Sequence, residues 1–522
     1  MKSVVASARL RSLAIAAAAI LTATTVGAPP AAAQSPVAVS RPAPLTVEQA
    51  RGSVAYLRAA YGISEREALR RLELQRTSAE LDAALSAGYP DDYAGMWLDQ
   101  EAGGVLVLAA TRPERVRSAL RSAPDQAHLR TVKVGLSLRQ LSATRDALSA
   151  ELATDTNVAP ATVVIDARAN RVAVYQRAGA ATAGARATGL AARQDAERRL
   201  VGAADTRLTA AVARHADRAV LRQLVAGKER SGALTRDTPV AAGCDPRDCA
   251  PPMRGGMRLT VQRTQASTSP VSLNPWWGQC TNGFNMVDSR GWNYVMTAGH
   301  CMTGTDKLGI NYSYSTDRTT PVGTEVLNFE NGPTCDGCST YPADYSIQPY
   351  RTTSTKNWYT YWGGSYARNQ VVSWCQSASS TWQGCVTGSY AIKGYYALDQ
   401  VKVGWVVCGT GSGDDSADSG YSTNVGYLPG TRCGTVSAKD GGLVTNLCTR
   451  PGDSGGPLFS EIDGRAYGIL HGGTDGNGPC PTSPAGTEWS NYSPISVILA
   501  HVQRQTLDLE GKDYGFKVRT TP

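Results

Sequence analysis

The stretch CTRPGDSGGPLFS, residues 448–460, sets three glycines, two prolines and an aspartate around Ser454. Glycines on both sides of the serine allow a tight turn that lifts its side chain clear and lets a carbonyl approach the backbone. A serine hydroxyl is a weak nucleophile until a base takes its proton. The loop therefore implies three further parts: a histidine, a group that orients it, and donors for a developing oxyanion. The N–H groups of Gly452 and Ser454 are the candidate donors.

The chain has five histidines, of which His300, His471 and His501 lie in the cysteine-bearing half. His300 sits in VMTAGHCM, after a strand-like run and beside Cys301, whose bridge to Cys280 would hold the loop that carries it. His471 and His501 stand in reserve. For the orienting acid, Asp344 in YPADYSIQPY precedes alternating residues able to form a strand and bury its carboxylate against an imidazole. A buried aspartate can hold the Nδ1–H and stabilise the imidazolium. Asp336 in CDGC and Asp306 stand in polar, turn-like surroundings instead.

With 522 residues, the chain is long enough for two folded units. Its net charge of +8 is modest, and no long Lys/Arg run tracks a phosphate backbone, so nucleic acid is not an expected partner. Lys2, Arg9 and Arg11 precede an apolar run from Leu13 to Ala28 and the small residues Ala31, Ala32 and Ala33. Residues 1–33 read as a cleavable secretory signal and place the protein outside the cell. The run is short for a membrane anchor and Pro29 and Pro30 follow at once; no other run is long enough to cross a bilayer.

All 12 cysteines lie from Cys244 onward, and an export signal with an even count implies disulfides. Pairing sequence neighbours suggests Cys244–Cys249, Cys280–Cys301, Cys335–Cys338, Cys375–Cys385, Cys408–Cys433 and Cys448–Cys480, with the connectivity open. The Cys335/Cys338 pair reads as a tight bridge, not half a zinc site, because no histidine is near it. No metal or cofactor is expected.

The cysteine boundary also separates two grammars. From Thr46 to about Leu85 the pattern is helical, with Ser64 and Glu67 forming a capping box. YAGMWLD and GVLVLAAT flank residues 100–103 like hairpin arms, and ATVVIDARANRVAVYQ reads as a second hairpin. Residues 179–232, rich in Ala and Arg, suit an exposed helical connector or spacer. Beyond Cys244, β-prone runs such as WNYVMTAG, QVKVGWVV and AYGILHGG alternate with Gly and Asn turns, predicting one large or two small barrels. The aromatic stretch NWYTYWGGSY, residues 357–366, reads as packing for an inserted loop, not as a polymer-binding platform.

TAGHC, the Asp344-Tyr345 dipeptide and GDSGGPL, in the order His, Asp, Ser, resemble the chymotrypsin-like serine proteases. More narrowly, TNLC before PGDSGGPL, CGTVSA from Cys433, YGILHGG after the serine, and the cysteines at 280/301, 408/433 and 448/480 are similar to the secreted bacterial streptogrisin and α-lytic protease group. The resemblance implies a pair of perpendicular six-stranded antiparallel β-barrels with the site in the cleft between them. In that scheme Ser454 attacks the peptide carbonyl, His300 shuttles the proton, Asp344 orients His300, and Gly452 and Ser454 hold the oxyanion. His471, Gly472 and Gly473 would form the substrate-binding strand.

YAGMWLD with its hairpin, after GISEREALRRL, is similar to the propeptide of the same group, implying an α+β folding catalyst and inhibitor. The expected organisation is signal 1–33, propeptide 34–237 with a helical spacer from about 179, and protease domain 238–522. Expected partners are protein or peptide substrates and the chain's own propeptide, with the enzyme a monomer. A secreted binding module or inactive protease is the alternative.

Two departures stand out. His471 occupies a place where the group has a serine near the buried aspartate. Asp453 needs a cationic partner, yet Gly409 follows Cys408 where relatives carry a basic residue, leaving Arg432 and Arg450 as candidates. Extra length between Gly409 and Thr431 and from Cys480 to Trp489 enlarges loops beside the expected pocket, where Glu488 would favour basic substrates and Arg450 would compete with it.

Overall fold

Short runs of alternating β-branched and aromatic residues, cut by glycine turns, become strands throughout the C-terminal half. The computed structural model describes residues 43–154, 161–176, 206–223, 246, 253–263, 276–301, 312–314, 321–324, 327–329, 344–349, 367–373, 388–413, 430–439, 442–473, 480 and 488–521. The signal segment, the boundary at 238, the cysteine pairs 244/249, 335/338 and 375/385, Asp306, Asp336 and the 357–366 aromatic stretch lie outside these residues.

Strands Arg465–Gly473, Pro457–Phe459, Val406–Gly411, Gly430–Ala438, Leu443–Thr445 and Ser490–Pro494 pair in that order, and the last pairs back with the first. Closure gives the expected six-stranded barrel and removes its edges. Both faces of these strands are buried. Val407, Leu458, Leu470 and Tyr492 share one core cluster, and Val406, Cys408, Phe459 and Ile469 share another. The preceding part of this half, with the C-terminal strand Lys517–Val518 at one edge, forms a five-stranded sheet, whose centre is Asn293–Thr297 against Tyr345–Pro349, and a four-stranded sheet around Arg258–Arg263. The helix Ile495–Glu510, which the sequence pattern did not suggest, runs on directly from the last barrel strand.

The N-terminal region is mixed α/β, as its patterning predicts. Ser64 caps the helix Glu65–Gly88 by accepting the Glu67 N–H, although the Glu67 carboxylate binds Arg70 and Arg71 and does not complete the box. Tyr93–Asp99 and Val105–Ala110 form the first expected hairpin, and Ala161–Asp166 with Arg171–Gln176 the second. Within residues 179–232, read as a helical connector or partly disordered spacer, residues 206–213 are helical but Ala219–Gln223 is a strand paired in parallel with Arg171–Gln176. Five residues beside an Ala/Arg-rich tract are too short a run for alternation to stand out.

The two regions share core. Tyr56, Leu57 and Leu72 from the first two helices cluster with Val406 and Phe459, while Leu81 and Leu98 cluster with Trp405 and Val436. Polar groups cross the same boundary in pairs. The Gln75 amide accepts the Val406 N–H at 2.6 Å and donates to the Val406 carbonyl at 2.9 Å. Trp405 Nε1 donates to Ser78 Oγ, Gln100 Nε2 to the Gly404 carbonyl, and Lys402 to Asp82. Gly404 has φ +88°, and a Cβ there would collide with the Leu98 carbonyl oxygen, so the close approach of the two backbones requires glycine. Gln75→Ala strands two buried backbone groups, and unfolding of the full chain in denaturant should show a loss of about 2–4 kcal/mol.

Candidate active site

The serine loop is seated by backbone contacts that only glycines permit. Gly452 and Gly455 have φ +92° and +83°. The Gly455 N–H donates to the Leu470 carbonyl at 2.9 Å, and the Leu470 N–H returns a bond to Gly456 at 2.8 Å. A Cβ on Gly455 would collide with Thr297 Oγ1 and stand 2.7 Å from the Ala298 nitrogen, at the entrance to the turn that carries His300. The Thr281 N–H donates to the Ser454 carbonyl at 2.8 Å, and Cys301 Sγ lies 3.8 Å from that same oxygen. The Cys280–Cys301 disulfide thus ties Thr281's neighbour to His300's neighbour directly beneath the serine loop.

His300 follows the strand Asn293–Thr297 in a single 3₁₀ turn, Gly299–Cys301. Its Nδ1 lies 2.6 Å from Asp344 Oδ2, and its backbone N–H donates to Asp344 Oδ1 at 2.9 Å. Asp344 is 1% exposed, at the start of the strand Tyr345–Pro349, and its own N–H donates to Ser493 Oγ. His471 approaches the same carboxylate, with Nδ1 2.8 Å from Oδ2. Burial by itself would raise the Asp344 carboxyl, but the imidazoles of His300 and then His471 hold it well below the usual carboxylate range.

His501 goes elsewhere. It hydrogen-bonds the Tyr345 hydroxyl at 3.0 Å, and burial pushes its imidazole down to about 4, leaving a neutral, structural ring near pH 7. Ser493, as acceptor for the Asp344 N–H, carries no motif that could have flagged it.

Asp453 is buried, with Oδ1 accepting the Gly413 N–H and Oδ2 the Arg450 N–H. Gly411 is needed beside it, because a Cβ would collide with Asp453 Oδ1. Of the two cations considered for Asp453, Arg450 turns its guanidinium to Glu488 in a bidentate pair at 2.9 and 3.1 Å. Arg432 stands opposite Gly409 across the strand pair and lines a small cavity with Asp453 and Tyr492. The pairing of Glu488 with Arg450 means that neither charge stands alone, unlike both specificity schemes suggested by the sequence. Gly472 and Gly473 end the strand that bears His471, and a Cβ on Gly473 would press on Thr449 Oγ1 and the Trp489 carbonyl. Cys408–Cys433 and Cys448–Cys480 join as the resemblance implies.

The closed barrel, the strand-rich C-terminal half and the His300–Asp344 pair beside the GDSGG loop are what the resemblance to the chymotrypsin-like serine proteases implies. The chain is similar to "Serine protease 2" of Streptomyces fradiae, 27% identical over 206 residues that cover 39% of this chain and 91% of that protein. It is likewise 26% identical to Streptogrisin-A of Streptomyces griseus over 255 residues, 47% of this chain and 63% of the relative. These similarities bear out the resemblance read from the motifs. No protein-family model matches the chain. Among solved structures, Nocardiopsis protease (NAPase) aligns at 19% identity over 51% of this chain and 98% of its own, with a TM-score of 0.29. A thermostable serine protease, AL20, aligns at 13% identity over 47% and 95%, with a TM-score of 0.26.

A carboxyl whose folded pKa is depressed stabilises the fold above its unfolded pKa, and that contribution fades as pH falls through the folded value. Asp344→Asn should therefore be less stable than the parent near pH 6. The gap should narrow below about pH 4, the ordinary aspartate value, as thermal melts across the acid range would show. A gap independent of pH would mean that the charge on Asp344 contributes nothing.

Proposed function

We propose that the chain is a secreted serine endopeptidase, made as a precursor that processes itself. Ser454 Oγ attacks the peptide carbonyl while His300 takes its proton through Nε2, the nitrogen left available when Nδ1–H is committed to Asp344. Asp344 holds the ring in that tautomer and stabilises the imidazolium. The N–H groups of Gly452 and Ser454 receive the oxyanion. His300 then protonates the leaving amine, and water hydrolyses the acyl-enzyme by the same relay. The observation that carries this reading is the His300–Asp344 pair, held by a disulfide-tied turn against the loop that bears Ser454. The relative named "Serine protease 2" supports it.

Residues 1–33 serve export, and among the described residues no helix is long and apolar enough to cross a membrane. Residues 34–237 act as the propeptide. Its buried contacts with Trp405, Val406 and Glu461 support a role in folding the barrel. Glu461 accepts the Gly52 and Ser53 N–H groups at the start of the first helix, an electrostatically favourable place for a carboxylate. The substrate strand is His471 to Gly473, and protein or peptide chains are the substrates.

Intact mass and hydrolysis of a fluorogenic peptide, compared between the parent and Ser454→Ala after export, test the reading. The parent should yield a species near the mass of the C-terminal half and cleave the peptide. The alanine variant should stay uncut at the propeptide boundary and lose about 10⁴-fold or more in turnover. A full-length, inactive parent would instead favour a secreted binding protein.

A further inference from the structure

Two imidazoles and one carboxylate converge where a serine peptidase needs only one imidazole. His300 Nδ1 and His471 Nδ1 lie 2.6 and 2.8 Å from the single oxygen Asp344 Oδ2, and the three residues offer ligand atoms that all fall within 4.8 Å of one another. The two rings remain partly open to solvent, with side chains 31% and 26% exposed, whereas the carboxylate is 1% exposed. Each ring comes from a different supporting element, His300 from the disulfide-tied turn and His471 from a barrel strand. The set is thus anchored on both sides of the buried acid.

We propose that His300 Nδ1, His471 Nδ1 and Asp344 Oδ2 form a site for a divalent transition-metal cation that switches the enzyme off reversibly. Two imidazole nitrogens and a carboxylate oxygen are a three-ligand zinc set, with water as the fourth ligand. Zn–N and Zn–O distances of about 2.0–2.2 Å in a tetrahedron separate ligand atoms by about 3.3 Å, so each ring must withdraw by only about 0.5–0.7 Å from its present contact. Partly exposed rings on either side of a fixed carboxylate can make that adjustment. Nitrogen donors select Zn²⁺ or its transition-metal neighbours over Mg²⁺ and Ca²⁺, which seek oxygen ligands.

The proton balance gives the consequence. A ring in its neutral form binds the cation through Nδ1 by moving its proton, through solvent, to Nε2, with no proton gained or lost. His300 then carries hydrogen on the nitrogen that would accept the Ser454 proton, and it can no longer act as base. This inhibition rests on the proposed peptidase mechanism, whereas the binding does not.

Binding is read by calorimetric titration of ZnCl₂ into the full chain carrying Ser454→Ala, which neither processes nor turns over. One saturable Zn²⁺ per chain at this site is expected, with no equivalent heat from MgCl₂. Adding His471→Ser, or separately His300→Ala, should weaken it by at least about 10–100-fold, the range that lesser changes around a metal already produce. Circular dichroism confirms that each variant is folded. Should one of them not fold, the other decides. His128 and His215 are present in every variant, so any binding by them is a constant background. In the active parent, micromolar ZnCl₂ should suppress peptide hydrolysis and a chelator should restore it. Absence of saturable binding, or binding equally tight in both histidine variants, would overturn the site. Saturable, histidine-dependent binding in a chain without peptidase activity would leave the site standing and overturn the proposed function alone.

Discussion

A single buried carboxylate organises the C-terminal half. Asp344 is removed from water, a position that costs several kcal/mol for an unpartnered charge. It is tolerated because the His300 backbone N–H, the His300 ring and the His471 ring all converge on its oxygens. Those groups come from two separate segments, and Ser493 fixes the aspartate's own backbone from a third. The strand Tyr345–Pro349 belongs to the five-stranded sheet, while His471 and Ser493 belong to the closed barrel, so one anion joins both sheet systems.

Glycine placement provides the complementary constraint. Gly455 lets the serine loop press against Thr297 and Ala298, and Gly411 makes room for Asp453. At the other boundary, Gly404 lets the Leu98 backbone approach closely enough for the Leu98 N–H to reach the Val403 carbonyl. Gln75 then satisfies both backbone groups of Val406 where that strand begins. Apolar side chains from the N-terminal helices complete clusters that include barrel residues. The N-terminal region is therefore part of how barrel residues are buried in the full chain, and its removal would leave the Val406 backbone without Gln75 and the Trp405 indole without Ser78.

Much of this was legible because the chemistry is local or punctuated. TAGHC and GDSGGPL are contiguous, so the histidine and serine loops stood out, and Asp344 was found by its position before an alternating run. Both N-terminal hairpins and the Ser64 cap announced themselves through alternation and spacing. What escaped depends on long-range packing. Ser493 is an ordinary serine 149 residues from the aspartate it serves. His471 was placed near Asp344 and on the substrate-binding strand, but its direct bond to the carboxylate depends on how two strands from different sheets meet. Arg450 and Glu488 looked like rival pocket charges, and only their pairing across 38 residues shows that they neutralise each other. The strand Ala219–Gln223 was hidden because its partner, not its own pattern, makes it a strand.

The most direct test of the account is a crystal structure of the protein after reaction with an organophosphorus serine reagent. The expected result is a single phosphoryl adduct on Ser454 Oγ. One phosphoryl oxygen should lie within about 2.7–3.1 Å of both the Gly452 and Ser454 N–H nitrogens, with His300 still bound to Asp344 through Nδ1. An unmodified Ser454, or an adduct whose oxygens point away from those N–H groups, would contradict the claim that this buried aspartate, its histidine and the glycine-framed serine act as one catalytic unit.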